Sequence, residues 1–238
     1  MVSIIIPTLN EEDYLPLLLE SIKKQNFSDY EVIVADAGSR DKTKEIAKSY
    51  GCKVIKGGLP ARGRNEGVKV AKRDLLLFLD ADSALPKDFL KKFLKKFKER
   101  KLDLAVCFIQ PFGKNKIDRF LYDFFHNYPK LVLEKVLPNG YMPILIKKSL
   151  HQKIRGFDEE IKFAEDTIYV RKASKYGRFE VLRAIQTFSS QRRFQKDGWL
   201  RTFLRYILAE LHMIFFGPIK SDILKSQFNH YLKNRIDN

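Results

Sequence analysis

Acidic residues follow two apolar segments of this sequence, and their positions indicate where chemistry would take place. Asp36 ends one such segment. Asp80 and Asp82 flank Ala81 directly after the apolar run 74–80. Two carboxylates one residue apart can share a hard divalent cation, or divide between a cation and ligand hydroxyls. Since no His or Cys lies nearby, the pair favours Mg²⁺ or Mn²⁺ over zinc, and such a cation would neutralise a diphosphate.

A second acidic pair, Glu165-Asp166, opens a predicted helix over 163–176, after the turn Gly156-Phe157-Asp158-Glu159. A carboxylate here can act as a general base. Acids are also common in a first helical turn because they complement the helix dipole. Taken alone, the pair leaves both interpretations open.

Strand and helix signals alternate through the first part of the chain, and these elements must position the acids. The predicted strands are 2–7, ended by Pro7, then 30–36, 52–56 and 74–80, and the helices between them are 11–25, 41–50 and 62–72. This alternation predicts βαβ units and a mainly parallel sheet. Ligands of such sheets bind beyond the carboxyl ends of the strands, which is where the acids stand.

The second half is less regular and more basic. It is predicted to contain a basic amphipathic helix 87–100, a strand 103–109, an aromatic-rich helical region 115–136, a strand 140–147, the helix 163–176, an amphipathic helix 197–216 and a last helix 220–235. We interpret helix 87–100 as an outer helix whose lysines face solvent.

Composition bounds the class of protein. The 238 residues are 45% hydrophobic and 31% charged, which is enough for one large α/β domain. The net charge of +16 lies entirely in residues 83–238, and favours anionic partners or a lysine-rich surface. Two cysteines indicate buried thiols in a reducing compartment. We expect neither a secretory signal nor a membrane-spanning helix.

Five motifs in order resemble those of family 2 glycosyltransferases of the GT-A fold. They are the opening Val2–Glu11, Asp36-Ala-Gly-Ser-Arg-Asp41-Lys-Thr43, Arg64-Asn65-Glu66-Gly67, Leu79-Asp80-Ala-Asp82 as the DXD motif, and Gly156-Phe157-Asp158-Glu159 followed by Glu165-Asp166. The resemblance implies a Rossmann-like, mainly parallel mixed sheet flanked by helices, with a C-terminal amphipathic helical extension. It implies a catalytic domain over 1–190, divided into a nucleotide-sugar half 1–110 and an acceptor half 111–190, with basic amphipathic helices over 191–238.

The resemblance also implies inverting transfer of a sugar from a nucleoside-diphosphate sugar. The donor would be held by Pro7, Thr8, Asn10, Glu11, Asp36, Arg64, Asn65, Asp80, Ala81 and Asp82, with Arg192 and Arg193 closing over the diphosphate or standing as surface arginines. Within this set, Asp36 would meet the base. Asp80 and Asp82 would hold Mn²⁺ or Mg²⁺. Asp166, beside Glu165, would take the acceptor proton.

Departures from the family pattern narrow the activity. The stretch Gln191-Arg192-Arg193-Phe194 lacks the Gln-x-x-Arg-Trp spacing of processive members, which favours transfer of a single sugar. We expect a donor of UDP or GDP type, a glycan or lipid-linked acceptor, and a cytoplasmic protein that is peripheral at the inner face of the membrane. A polyprenyl-phosphate sugar synthase is the alternative enzyme. A nucleic-acid-binding protein is a remote alternative, because no recognisable binding motif is present.

The helix 197–216 has a broad apolar stripe whose partner the sequence leaves open. The stripe comprises Trp199, Leu200, Phe203, Leu204, Ile207, Leu208, Leu211, Ile214 and Phe215. It can pack on the catalytic core, lie in a membrane interface, or form a dimer contact. The basic excess of the second half is compatible with the membrane interpretation.

Overall fold

The computed structural model describes residues 1–113, 115–161 and 163–220. Within these residues the strands are β1 (Val2–Thr8), β2 (Tyr30–Asp36), β3 (Lys53–Lys56), β4 (Leu75–Phe78), β5 (Ser83–Ala84), β6 (Leu104–Pro111), β7 (Ile144–Lys147) and β8 (Phe179–Ser189). The helices are α1 (Leu15–Lys23), α2 (Thr43–Ser49), α3 (Pro60–Val70), α4 (Phe89–Glu99), α5 (Lys116–Tyr122), α6 (Tyr128–Val132), α7 (Lys148–Lys153), α8 (Glu165–Ser174), α9 (Arg192–Asp197) and α10 (Trp199–Phe215). A π-helical turn, Asp123–Asn127, joins α5 to α6.

The described strands form one mixed sheet in the order β3-β2-β1-β4-β7-β6-β8-β5. The first four strands in this order are mutually parallel, as the βαβ alternation predicts. The strand β7 is antiparallel to both β4 and β6, whereas β6 and β8 are parallel. The expectation of a mainly parallel α/β sheet flanked by helices is confirmed.

Alternate residues of β1 feed two separate cores. Ile4 and Ile6 face the layer of α1, α2 and α4, whereas Ile5 faces the layer of α3, α7 and α8. All three side chains are fully buried. A strand covered on both faces reads as a continuous apolar run, which explains the residues between Val2 and Pro7. Pro7 does not end the strand, because β1 continues to Thr8 opposite Asp36.

Helix α3 lies unusually close to β1. A Cβ atom added at Gly67 would lie 2.4 Å from Ile5 Cγ2, and one at Gly63 would lie 3.0 Å from Pro7 Cβ. Glycine at these two positions therefore lets the helix backbone approach the strand. The approach brings Arg64, the residue after Gly63, into the buried interior beside the strand ends.

The basic helix is an outer helix, as predicted. Phe89, Phe93 and Phe97 of α4 are buried, and Lys91 and Lys95 are exposed. The two cysteines are free thiols; Cys107 is buried and Cys52 is partly buried.

Several elements were not predicted or were predicted with other limits. The predicted strand 140–147 is only Ile144–Lys147, and α7 and α9 were not anticipated. The long strand β8 was also missed. Its pairing with β6 shifts register after Cys107, so its buried positions do not alternate. The predicted helix 220–235 falls almost entirely outside the described residues.

Helix α10 packs through a face that excludes Leu200, Leu204 and Leu208 of its apolar stripe. Thr202, Ala209 and Met213 are buried. Leu200 and Leu208, by contrast, are 72% and 65% exposed. Packing of the whole stripe on the core is therefore wrong, because the apolar arc is wider than the contact and only its Trp199 and Phe203 edge turns inward. In the described part of the chain, no helix has the length and apolarity that crossing a membrane requires.

Candidate active site

The carboxyl ends of β1, β2 and β4 place the predicted acids at one edge of the sheet. Thr8 pairs in register with Asp36, and the Ala37 amide donates to the Thr8 carbonyl at 2.9 Å. The Leu79 amide donates to the Ile5 carbonyl at 3.1 Å, which brings Asp80 to the same edge. The expected position beyond the strand ends is therefore the position in the structure.

Asp36 is buried and its carboxylate organises the loop that follows β2. Oδ1 accepts hydrogen bonds from the amides of Gly38 at 3.0 Å and Ser39 at 2.8 Å. Oδ2 accepts from the hydroxyls of Thr8 at 3.0 Å and Ser39 at 2.5 Å. Both oxygens are thus engaged by the protein, so a nucleotide base N–H would share or replace one of these donors. Contact between Asp36 and a base stays a prediction.

The loop after β1 is fixed to the loop after β2. Asn10 has a left-handed backbone with φ of 50°, and its amide donates to the Ser39 hydroxyl at 2.9 Å. The Glu11 amide donates to the Thr43 hydroxyl at 2.8 Å. These contacts hold Asn10 and the buried Glu11 at this edge of the sheet, and their role in a donor pocket stays a prediction.

Arg192 reaches this edge from α9 and binds two carboxylates. Its guanidinium donates to both oxygens of Glu11 at 3.0 Å and lies 3.0 Å from Oδ2 of Asp82. The Tyr14 ring lies 4.8 Å from the guanidinium carbon, a distance suited to cation–π attraction. Arg192 therefore lies among the predicted site residues, with its side chain 24% exposed. The side chain of Arg193 lies outside the described part of the structure.

Arg64 joins the donor-side acids to the acceptor-side helix. Its Nη2 donates to Asp80 at 2.8 Å and its Nη1 to Glu165 at 2.6 Å. The side chain is only 3% exposed. Burial works against the charged form, but Asp80, Glu165 and Asp166 together raise the pKa of Arg64, so it stays cationic. One guanidinium thus fixes the spacing between β4 and α8.

Asp166 lies in the first turn of α8, where burial is the main cause that raises its pKa, to about 7. Repulsion from Glu165 and Asp80 adds to the rise, whereas Arg64 and a 2.8 Å hydrogen bond from the Thr167 amide oppose it. A carboxylate that titrates near neutral pH can exchange a proton with a hydroxyl more readily than an ordinary aspartate. This environment favours the general-base interpretation over a helix-dipole role alone.

Asn65 holds the loop 156–159, and its predicted contact with the donor stays a prediction. Its Nδ2 donates to the Phe157 carbonyl at 2.9 Å and to Glu159 at 2.8 Å, and its Oδ1 accepts from the Phe157 amide at 2.9 Å. Asn65 therefore ties α3 to the loop 156–159.

Two further predicted residues support the site from beneath. Pro7 packs against the Gly63 backbone, and Ala81 is buried between the two acids of its motif. The strand ends and α8 thus bring together most of the predicted set, namely Thr8, Asn10, Glu11, Asp36, Arg64, Asp80, Asp82, Glu165, Asp166 and Arg192.

Sequence reasoning missed several residues of the site. Tyr14 lies under Arg192, and nothing in the sequence distinguished it from other tyrosines of the chain. Ser39 and Thr43 lie inside the second motif, whose spacing could have indicated them. Lys130 is fully buried and donates to the Cys107 carbonyl at 3.2 Å, and burial lowers its pKa to about 8. A lysine in an exposed-looking helix gave no signal of this position.

The charges of the site fit a divalent cation together with a phosphorylated ligand. Five carboxylates, those of Glu11, Asp80, Asp82, Glu165 and Asp166, stand against the guanidinium groups of Arg64 and Arg192. Oxygen donors of this kind suit Mg²⁺ or Mn²⁺. The described residues contain no cluster of three or more metal-ligating side chains, and a cation on Asp80 and Asp82 stays a prediction.

The fold and the strand-end acids define an α/β domain of the GT-A class. The sequence pattern of Glycosyl transferase family 2 matches residues 3–175, and the chain belongs to that family.

Two relatives match about 70% of this chain at 28% identity. The chain is 28% identical over 193 residues to the uncharacterized glycosyltransferase EpsJ of Bacillus subtilis, covering 70% of this chain and 54% of EpsJ. It is 28% identical over 184 residues to TarS of Staphylococcus aureus, a poly(ribitol-phosphate) beta-N-acetylglucosaminyltransferase, covering 72% of this chain and 32% of TarS. The chain therefore spans about a third to a half of these relatives.

Solved structures agree with this fold. TarS 1–349 in complex with UDP-GlcNAc superposes with a TM-score of 0.65 at 26% identity, covering 79% of this chain and 58% of that one. The mannosyltransferase PcManGT of Pyrobaculum calidifontis, solved with GDP-Man and Mn²⁺, superposes with a TM-score of 0.66 at 18% identity, covering 87% of this chain and 64% of that one.

Proposed function

We propose that this chain transfers a single sugar, with inversion, from a nucleoside-diphosphate sugar to an acceptor hydroxyl, in a reaction that depends on a divalent cation. The observation that carries the proposal is the position of Asp166 in the first turn of α8, beside an Arg64 that bridges Asp80 and Glu165. A candidate base thus stands next to the strand-end acids that suit a cation and a diphosphate.

On the acceptor side, Asp166 accepts the hydroxyl proton as the acceptor oxygen forms its bond to the anomeric carbon. The bond between that carbon and the diphosphate oxygen breaks in the same displacement, and the nucleoside diphosphate leaves with the electron pair. One displacement inverts the anomeric centre and needs only one base. Glu165 and Arg64 position Asp166 and contribute to the charge that sets its pKa.

On the donor side, Asp80 and Asp82 would hold the cation. When bound, a cation of this kind stabilises the negative charge that develops on the leaving phosphate. Arg192 already contacts Asp82 and Glu11, so its guanidinium is within reach of a ligand placed between them. A guanidinium is suited to bidentate binding of phosphate oxygens.

Relatives support the donor class and leave the acceptor open. UDP-GlcNAc is bound in the TarS structure and GDP-Man in the PcManGT structure. We therefore propose a UDP-type or GDP-type donor and Mn²⁺ or Mg²⁺ as the cation. A glycan or lipid-linked acceptor, the domain limits 1–190 and 191–238, and a cytoplasmic location peripheral to the membrane stay predictions.

Thermal unfolding with nucleotides tests the donor site. UDP, GDP, CDP and dTDP would each be added with Mn²⁺, Mg²⁺ or EDTA to the wild type, to Asp82→Ala and to the control Asp13→Asn, whose carboxylate is exposed. A ligand at 100 times its Kd stabilises the fold by about 2.7 kcal/mol, a rise of roughly 5–11 °C in Tm. We expect one diphosphate to act only with metal and only when Asp82 is intact. If no diphosphate stabilises the wild type, the donor site is refuted.

Turnover of Asp166→Asn tests the acceptor chemistry. Loss of a general base typically lowers the rate by about 10²–10⁴-fold, so we expect that loss in kcat with the donor Kd unchanged. The alternative enzyme would glycosylate a polyprenyl phosphate. The attacking oxygen of that acceptor is already ionised, so no base is needed. If Asp166→Asn transfers sugar to a polyprenyl phosphate at the wild-type rate, the hydroxyl-acceptor proposal is wrong.

A further inference from the structure

Two neighbouring helical segments expose an apolar surface that nothing in the described part of the chain covers. We call it the apolar surface, and its central members are Ile117, Phe120, Phe124, Leu200, Leu204 and Leu208, which are 50–72% exposed. Isolated exposed leucines are ordinary in proteins. A contiguous group of exposed apolar side chains is typical of an interaction site.

Aromatic contacts join the two segments into one surface. The Phe120 and Phe124 rings stack with centroids 6.0 Å apart, and Phe124 meets Phe125 at 5.0 Å. Phe125 in turn lies 4.0 Å from Phe203 of α10. The π-helical turn and α10 are therefore packed side by side, with their apolar residues on a shared outer face.

The outward direction of α10 is fixed by its other face. Ala209 and Met213 are buried against Phe163, Ala164 and Ile168 at the start of α8. Leu200, Leu204 and Leu208 are consequently held outward. Turning them onto the core would take Ala209 and Met213 out of their contacts. The same packing places the apolar surface beside the helix that carries the candidate base.

The fully exposed charges around the apolar surface are basic. Over 115–136 and 199–216, the exposed charged side chains are Lys116, Arg119, Lys135 and Arg201. The acids of these segments are partly buried. In a two-fold dimer formed through this surface, the basic rim would meet its own copy, which is unfavourable. A lipid surface with negative headgroups instead complements both the apolar centre and the basic rim.

We propose that the apolar surface docks this protein on an anionic phospholipid bilayer, with α5 and α10 lying in the plane of the interface. The phenylalanine and leucine side chains enter the headgroup–acyl boundary, and the four basic side chains contact the phosphates. The docking is independent of the proposed sugar transfer, since it needs neither donor nor acceptor.

Co-sedimentation of the full chain with vesicles tests the proposal. The vesicles are phosphatidylcholine alone or an equal mixture with phosphatidylglycerol. We expect the wild type to bind the vesicles with phosphatidylglycerol at least about tenfold more tightly than those of phosphatidylcholine alone. Leu204→Glu/Leu208→Glu and Lys116→Glu/Arg119→Glu should each lower binding about tenfold or more, because the first loses apolar burial and the second loses attraction to lipid phosphates.

The matched control is Leu17→Glu, which places the same substitution on a leucine of α1 that is 54% exposed. It should bind like the wild type. Since all of these positions are exposed, each variant should keep the wild-type circular dichroism spectrum and Tm. The proposal is overturned if the wild type does not bind anionic vesicles, or if Leu204→Glu/Leu208→Glu binds as the wild type does. It is also overturned if light scattering shows a wild-type dimer that this double variant converts to monomer.

Discussion

The carboxyl of Asp166 is held where its charge destabilises the folded protein. Burial, then Glu165, then Asp80 raise its pKa from 3.8 to about 7, against the opposing effect of Arg64. The charge of Asp166 also raises the pKa of Lys130, against the larger opposing effect of burial. A carboxyl group whose pKa is raised by folding favours the folded state over the unfolded state at low pH, where the group is protonated. This contribution is lost as pH rises from the unfolded pKa through the folded one. The substitution Asp166→Asn should therefore stabilise the protein, and more so at high pH.

The magnitude follows from the two pKa values. Three pKa units at about 1.4 kcal/mol each give a ceiling of about 4 kcal/mol at a pH of about 8, and roughly 1–2 kcal/mol of it is already present at a pH of about 5. Asp166 is partly exposed, so the realised gain is smaller. We expect Asp166→Asn to gain about 2–3 kcal/mol at the higher pH and about 1 kcal/mol or less at the lower one. In Tm this is a rise of roughly 4–12 °C that shrinks on acidification.

Urea unfolding in EDTA at both pH values measures the effect without a bound cation. Asp13→Asn is the control, because it makes the same substitution at an exposed aspartate. The reasoning is refuted if Asp166→Asn has the same effect at both pH values. It is also refuted if the variant is less stable than the wild type at the higher pH, since the carboxylate would then be ionised and favourable.

Three further predictions follow from the packing and the ion pairs. Gly67→Ala should lower the free energy of unfolding by about 1–3 kcal/mol, because its Cβ would lie 2.4 Å from Ile5 Cγ2. Arg192→Gln should bind Mn²⁺ about tenfold more tightly than the wild type without nucleotide, as read by electron paramagnetic resonance, because Asp82 loses its counter-charge. Asn65→Ala should cost about 1–3 kcal/mol by leaving backbone groups of the loop 156–159 without partners.

Each of these has a contrary outcome. A Gly67→Ala protein as stable as the wild type would mean that α3 can move away from β1 at no cost. Equal Mn²⁺ affinity in Arg192→Gln and wild type would show that Arg192 does not compete with the ion for Asp82. Asn65→Asp keeps the acceptor oxygen but places a second carboxylate oxygen against Glu159 and the Phe157 carbonyl, so it should be at least as destabilised as Asn65→Ala. If it is as stable as the wild type, the hydrogen bonds of the loop are not the cause.

Much of the donor half could be predicted because its signals are local. The apolar runs of β1, β2 and β4 end at acids, and parallel pairing requires those ends to meet at one edge. The strand β8 could not be found in this way. Its register shift between Cys107 and Phe108 places Val181, Leu182 and Ile185 inside without alternation.

Most members of the candidate site were predictable, but Tyr14 and Lys130 and the connections between members were not. The motifs indicate Arg64 and Asp166, but the bridge from Arg64 to Glu165 spans 101 positions of sequence, and no local pattern encodes it. For α10, the sequence establishes an apolar arc. Which face of the helix is buried depends on Phe163 and Ile168. These residues pack on Ala209 and Met213 and belong to another part of the chain.

The two arginine bridges have a consequence for how the chain folds. The ion pair between Arg192 and Glu11 joins positions 181 apart, so it closes a loop that contains most of the protein. Contacts of such high sequence separation form late, because loop closure must be complete before they contribute. Until α9 arrives, Glu11 and Asp82 are like charges without this compensation. This edge of the sheet therefore reaches its final charge balance only after α9 has packed, and nascent or truncated chains should lack that balance.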